Sequence, residues 1–208
     1  MNKVIRLITH PVFIILLVLI FDQALKIWVK THMMLNEEFP VFENWFYIHF
    51  TENPGMAFGF EFGGKWGKLI LSLFRIVAVT GIGYYLFKLP KTAPKGFKIC
   101  IALVFAGAIG NIIDSAFYGL IFNDSLTQVA TLFPPEGGYA SFLHGRVVDM
   151  LYFPLIEGFF PDWLPIWGGE YFMFFRPVFN IADSAITIGI ISLILFQRKY
   201  FKEEFSKK

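Results

Sequence analysis

Four long apolar stretches mark out the chain, at about 11–29, 68–88, 97–117 and 178–196. A helix needs roughly 20 mostly apolar residues to cross a bilayer. Each stretch therefore predicts a transmembrane helix, and together they predict an all-α integral membrane protein of four spans. A fifth apolar region, about 151–168, is broken by Pro154, Pro161 and Pro165 and carries Glu157 and Asp162. It is too interrupted to span. With Trp163 and Trp167 it reads as an interfacial helix or loop at headgroup depth. Between the first two spans, Trp45-Phe46-Tyr47-Ile48-His49-Phe50-Thr51 alternates more polar with wholly apolar side chains. A period of two predicts a half-buried strand or hairpin, followed by a turn at Asn53-Pro54-Gly55. PPEGG at 134–138 is a second breaker. The expected organisation is one membrane domain, 1–208, with two long loops at about 30–67 and 118–177.

Positive charge orients the spans. Lys3 and Arg6 precede the first, and Lys88, Lys91, Lys95 and Lys98 border the link between the second and third. Arg198, Lys199, Lys202, Lys207 and Lys208 follow the fourth. Basic residues gather on the cytoplasmic side, so both termini are expected there and both long loops outside, as in a multi-pass protein of a bacterial inner membrane. The apolar start resembles a signal peptide, but Asp22 and Lys26 follow it directly and no small-residue cleavage site appears. It reads as a retained first span.

Composition agrees. Hydrophobic residues make up 56% and charged residues 16%, against about 25% charged in soluble domains. The net charge of +2 gives no reason to expect nucleic acid. A lone cysteine, Cys100, and four scattered histidines without an HExxH pattern point to no metal and no cofactor. Nothing demands more than a monomer.

The candidate chemistry lies in polar residues inside the spans, where each ionisable group costs ~2.5–3.5 kcal/mol and needs a reason. These are Asp22, Lys26, Arg75, Asp114 and Asp183, with Asp149 in the second long loop. At ~1.5 Å per residue, Asp114 lies roughly 26 Å beyond Phe97, and Asp183 roughly 20 Å before Phe196. Both reach the outer part of the bilayer, and Asp149 can fold back to that level. Asn111-Ile112-Ile113-Asp114 and Asn180-Ile181-Ala182-Asp183 share an N-x-x-D pattern, which sets amide and carboxylate on one helical face. Gly107 and Gly110 keep the third span slim for close helix approach. Two carboxylates in a low-dielectric site share one proton and split their affinities for it. One then serves as general base on a water and the other polarises a carbonyl. Depth favours Asp114 with Asp183 as that pair. On physics alone, a proton-coupled transporter, acids paired structurally with Lys26 or Arg75, and a non-catalytic assembly factor all stay open.

Five segments, in order, resemble the lipoprotein signal peptidase (signal peptidase II) family. They are Asp22-Gln23 with Lys26, Thr51 to Gly59 (T-x-N-x-G-A-A-F-G), Gly107 to Asp114 (G-N-x-x-D), Gly145 to Asp149 (G-x-V-V-D) and Phe179 to Ser184 (F-N-x-A-D-S). The resemblance implies a four-span bundle with a small outer β-cradle. It implies an aspartyl endopeptidase cutting diacylglyceryl-modified prolipoproteins before the lipidated cysteine, among membrane lipids. It transfers the catalytic roles to Asp149 and Asp183, overriding the depth argument. Asp22, Lys26, Asn53, Gly55, Asn111, Asp114, Asn180 and Ala182 become binding or site-shaping positions. The family's arginine after the third-box aspartate is Ser115 here, which leaves that guanidinium's part to Arg146 or Arg176. The stretches between Asp114 and Gly145 and between Asp149 and Phe179 are long, and are expected to form a lid or edge over the site.

Overall fold

The structure, a computed structural model, describes residues 7, 9–42, 45–54, 64–154, 156–174 and 177–197. Helix α1 (Pro11–His32) starts with Pro11 in the first turn, and His10 Nδ1 accepts from the Val12 amide. Strands β1 (Glu38–Phe42) and β2 (Phe46–Asn53) follow, then α2 (Gly64–Lys88) and α3 (Lys95–Ile113). A π-helical segment, Asp114–Tyr118, and a last turn, Gly119–Ile121, extend α3. Strands β3 (Val147–Tyr152), β4 (Ile156–Phe159), β5 (Tyr171–Phe174) and β6 (Val178–Phe179) lead into α4 (Ile181–Phe196). Among the described residues, α1, α2 and α3 with its extension are long and apolar enough to cross a bilayer, and α4 is a shorter apolar helix. The expected fourth span began at 178; Val178 and Phe179 instead join the sheet.

α1 is apolar outside and polar inside. Its buried positions include Asp22, Lys26 and Lys30, four residues apart on one face, while Leu16, Leu17, Ile20 and Phe21 are exposed. That inversion suits a helix with lipid on one side and polar partners on the other. Packing between α3 and α4 relies on small residues. Ala102, Ala106, Gly107 and Gly110 are buried on α3, as are Ala182, Ala185 and Gly189 on α4. A Cβ built at Gly107 would lie 2.2 Å from the Ala182 carbonyl oxygen. Gly107→Ala is therefore expected to push the two helices apart, lowering stability by about 1–3 kcal/mol. Thermal unfolding checks this against Gly81→Ala, where a Cβ meets nothing within 4 Å.

The four-stranded sheet runs β1-β2-β3-β6, with every neighbour antiparallel. β2 contains the alternating stretch predicted as a strand, except Trp45, which precedes it. Its Ile48 and Phe50 pack with Val148 and Met150 of β3 against Val29, Met33, Tyr118 and Phe122. Successive strand residues point to opposite faces, so with Val148 and Met150 in this core, Asp149 faces the other way.

The segment 151–168 was expected to form an interfacial helix or loop. Its described residues instead complete β3 and form β4, which pairs with β5 in a hairpin. The prolines that bar a helix remain outside the strands, and Gly169, at φ +76, closes the turn at the tip. Trp163 and Trp167 are exposed there.

Candidate active site

The site forms where α1, α3, β3 and the start of α4 meet. On α1, Lys26 Nζ lies 2.9 Å from Asp22 Oδ2 and 2.8 Å from Asp114 Oδ2, and donates to Asn111 Oδ1 at 3.0 Å. All three charged side chains are fully buried. Lys26 therefore bridges two acids on different helices and does not reach the headgroups. Asp22 Oδ1 accepts from the Ala182 amide at 2.8 Å, which fixes the first turn of α4. Gln23 Nε2 donates to Asp114 Oδ1 at 2.9 Å, and the Val148 amide donates to Asp114 Oδ2 at 3.3 Å. Both Asp114 oxygens are thus occupied, and this acid ties α1 and α3 to β3.

Asn180 caps α4. Its Oδ1 accepts from the Asp183 amide at 2.8 Å, while Asp183 Oδ2 accepts from the Asn180 amide at 3.4 Å, a reciprocal capping box. The N-x-x-D spacing thus works here as a helix start, and it sets Asp183 where the helix dipole favours negative charge. Asn180 Nδ2 donates to Asp149 Oδ1 at 2.7 Å and reaches Asn111 Oδ1 at 3.1 Å. Asn111 Nδ2 donates to Asp183 Oδ1 at 2.8 Å. Asp149 and Asp183, from different elements, are consequently joined through two carboxamides. Burial, reinforced by the charge of Asp183, pushes the Asp149 carboxyl up to about 7. The opposing influences of Lys26 and the Asn180 hydrogen bond are weaker.

Two openings flank Asp183. One, of about 250 Å³, is lined by Phe74, Arg75, Val79, Ala108, Asn111 and Ile186 as well as Asp183. The other, of about 490 Å³, is lined by Pro177, Phe179, Ser184, Thr187 and Ile188 beside it. Both walls are mainly apolar.

A second, partly buried charge cluster lies alongside. Lys30 pairs with Glu52 and donates to Ser125 Oγ at 2.7 Å; Arg146 Nη1 meets Glu52 Oε2 at 2.9 Å, and Nη2 meets Asp124 Oδ2 at 3.2 Å. The Tyr139 ring stacks under both cations. This cluster fastens the long segment after α3 to α1 and β2. Arg146, one of the two arginines expected to take the part of the guanidinium missing at Ser115, pairs here with Glu52 and Asp124. Ser115 is buried; its Oγ donates to the Asn111 carbonyl at 3.0 Å, and its own carbonyl accepts from the Gly145 amide at 2.8 Å. Asn53 ends β2, in register with Val147. Gly55 and Arg176 lie outside the described residues.

Gln23, Lys30, Glu52 and Tyr118, whose hydroxyl donates to Gln23 Oε1 at 3.2 Å, were not singled out from the sequence as site positions. The signal available was the four-residue spacing of Asp22, Lys26 and Lys30. Ending the first span at 29 hid its last member. Among the described residues no cluster of histidine, cysteine, aspartate or glutamate could hold a metal ion.

A family profile described as Signal peptidase (SPase) II matches residues 14–198. A lipoprotein signal peptidase of Porphyromonas gingivalis is 58% identical over 184 residues, covering 88% of this chain and 80% of its own. One of Amoebophilus asiaticus is 37% identical over 198 residues, covering 93% and 80%. A bacterial membrane enzyme solved by the in meso method at 2.3 Å resolution superposes with a TM-score of 0.56 at 28% identity, covering 95% of this chain and 91% of that one.

Proposed function

Because the chain belongs to the signal peptidase II family, and is therefore an aspartic endopeptidase that removes signal peptides from prolipoproteins, we propose that Asp149 and Asp183 are its catalytic pair, with Asp149 holding the shared proton. The observation that carries this reading is the Asp149–Asn180–Asn111–Asp183 chain of hydrogen bonds. It links two carboxyls from separate elements, and one of them, Asp183, lines two apolar openings. The Asp149 value of about 7 matches a general acid near neutral pH.

Asp183, ionised, takes a proton from a water held between the two carboxyls. The hydroxide oxygen bonds to the scissile carbonyl carbon as Asp149 gives its proton to the carbonyl oxygen. The tetrahedral intermediate collapses when the proton on Asp183 passes to the leaving nitrogen and Asp149 recovers its own. Asn111 and Asn180 keep both carboxyls oriented throughout, and Asp22, Lys26 and Asp114 hold the helices that carry them. Asn53, at the end of β2, bounds the substrate's approach.

α4 serves as the fourth span, both termini lie in the cytoplasm of a bacterial inner membrane, and the sheet and hairpin form the outward cradle. The substrate is a diacylglyceryl-modified prolipoprotein cut before its lipidated cysteine. The apolar openings beside Asp183 bed its chains among the membrane lipids, and a monomer suffices.

The sign of the pH dependence tests the proton's place. A carboxyl that must donate works only while protonated. Cleavage kcat/KM is expected to hold below neutral pH and to fall as pH rises through about 7, the Asp149 value. A titration from about pH 5 to about pH 9 in which activity rises through neutrality would place the proton elsewhere.

A further inference from the structure

Arg75 is an intramembrane cation that the chemistry above leaves unused. Its neighbours Leu73, Phe74 and Val77 on α2 are exposed and apolar, as expected against lipid. Arg75 itself is half-buried and lines the cavity that is also lined by Asn111 and Asp183. Charge attraction in apolar surroundings is stronger than in bulk water.

The other charged groups near the pair do not meet this need. Lys26, on α1, is already matched by Asp22 and by Asp114 of α3. Asp149, on β3, and Asp114 supply no positive charge. Arg146 is committed to Glu52 and Asp124.

We propose that Arg75 is a positioning residue for Asp183: from α2, across the cavity, its guanidinium holds Asp183 as the ionised member of the pair and so leaves the shared proton on Asp149. This rests on the assignment of Asp149 and Asp183 as the pair. Arg75 need not touch the substrate, so its charge acts on the chemical step rather than on substrate binding.

The test measures kcat and KM for cleavage of a diacylglyceryl-modified prolipoprotein by the purified full chain, together with thermal unfolding. The variants are Arg75→Lys, Arg75→Gln, Arg75→Met and Asp183→Asn. Removing an opposite charge beside a carboxylate is expected to lower kcat by about tenfold or more in Arg75→Gln and Arg75→Met, with KM within about threefold of wild type. Arg75→Lys, which keeps the charge, is expected to restore most of kcat. Arg75→Met removes the charge from the span, where an ionisable group is costly, and keeps an apolar side chain; the unfolding temperature verifies that it is folded. Wild-type kcat in Arg75→Gln or Arg75→Met overturns the proposal. So does a folded Arg75→Lys as slow as Arg75→Gln, since charge would then not be what matters. If Asp183→Asn still cuts at the wild-type rate, the pair assignment has failed, whatever the Arg75 variants do.

Discussion

Asp149→Asn and Asp183→Asn are each expected to lower cleavage by about ten-thousandfold, and the double variant scarcely further, because residues that act as a unit do not contribute additively. The two single variants should differ in stability. At 149 an amide oxygen can still accept from Asn180 Nδ2, now 2.7 Å from Asp149 Oδ1. The protein should therefore unfold near the wild-type temperature. At 183 both carboxylate oxygens accept, one from Asn111 Nδ2 and the other from the Asn180 amide. An amide NH₂ in either place faces a donor, and half of the capping box goes. A loss of about 1 kcal/mol is expected, seen as a lower unfolding temperature in a protein that still folds. Variants equally inactive but distinguishable in stability would separate the chemistry of the pair from the anchoring of α4.

Lys26→Met is expected to have the largest effect on folding. The ammonium lies within 3.0 Å of Asp22, Asp114 and Asn111, with no exposure of either acid. Its removal leaves two buried carboxylates facing each other without a counter-charge, and breaking a buried pair from one side costs about 3–5 kcal/mol. Folded protein recovered from membranes should fall sharply, and cleavage with it. Adding Asp114→Asn to Lys26→Met removes one of the stranded charges and should recover part of the folded yield. If Lys26→Met unfolds at the wild-type temperature, the ion cluster does not hold the helices together.

Much of this was legible in the sequence because membrane spans announce themselves by length and because charges inside them are conspicuous. The three long helices fall within a few residues of the apolar stretches. Six residues of the alternation at 45–51, from Phe46 on, lie in β2. Counting residues along the span assigned Asp114 a depth, but depth says only which level an acid reaches. It does not say which partner it meets. Lys26 comes from a helix distant in sequence and claims Asp114, whereas the strand alternation of β3 turns Asp149 away from the core beside Val148 and toward Asn180. Both outcomes depend on tertiary register, which no local pattern encodes. The hairpin at β4 and β5 was missed for a related reason. Prolines ruled out a span there, but the pairing of Ile156–Phe159 with Tyr171–Phe174 crosses a turn-rich tip that carries no alternation of its own.

The central claim, that Asp149 rather than Asp114 works with Asp183, is tested most directly by one comparison. The purified protein and its Asp114→Asn, Asp149→Asn and Asp183→Asn variants are each given a diacylglyceryl-modified prolipoprotein, and the folded fraction of each is measured alongside. The account predicts that the folded 149 and 183 variants leave the substrate uncut, whereas the 114 variant cuts in proportion to its folded fraction. A folded Asp149→Asn that cuts normally, beside a folded and inactive Asp114→Asn, would contradict it.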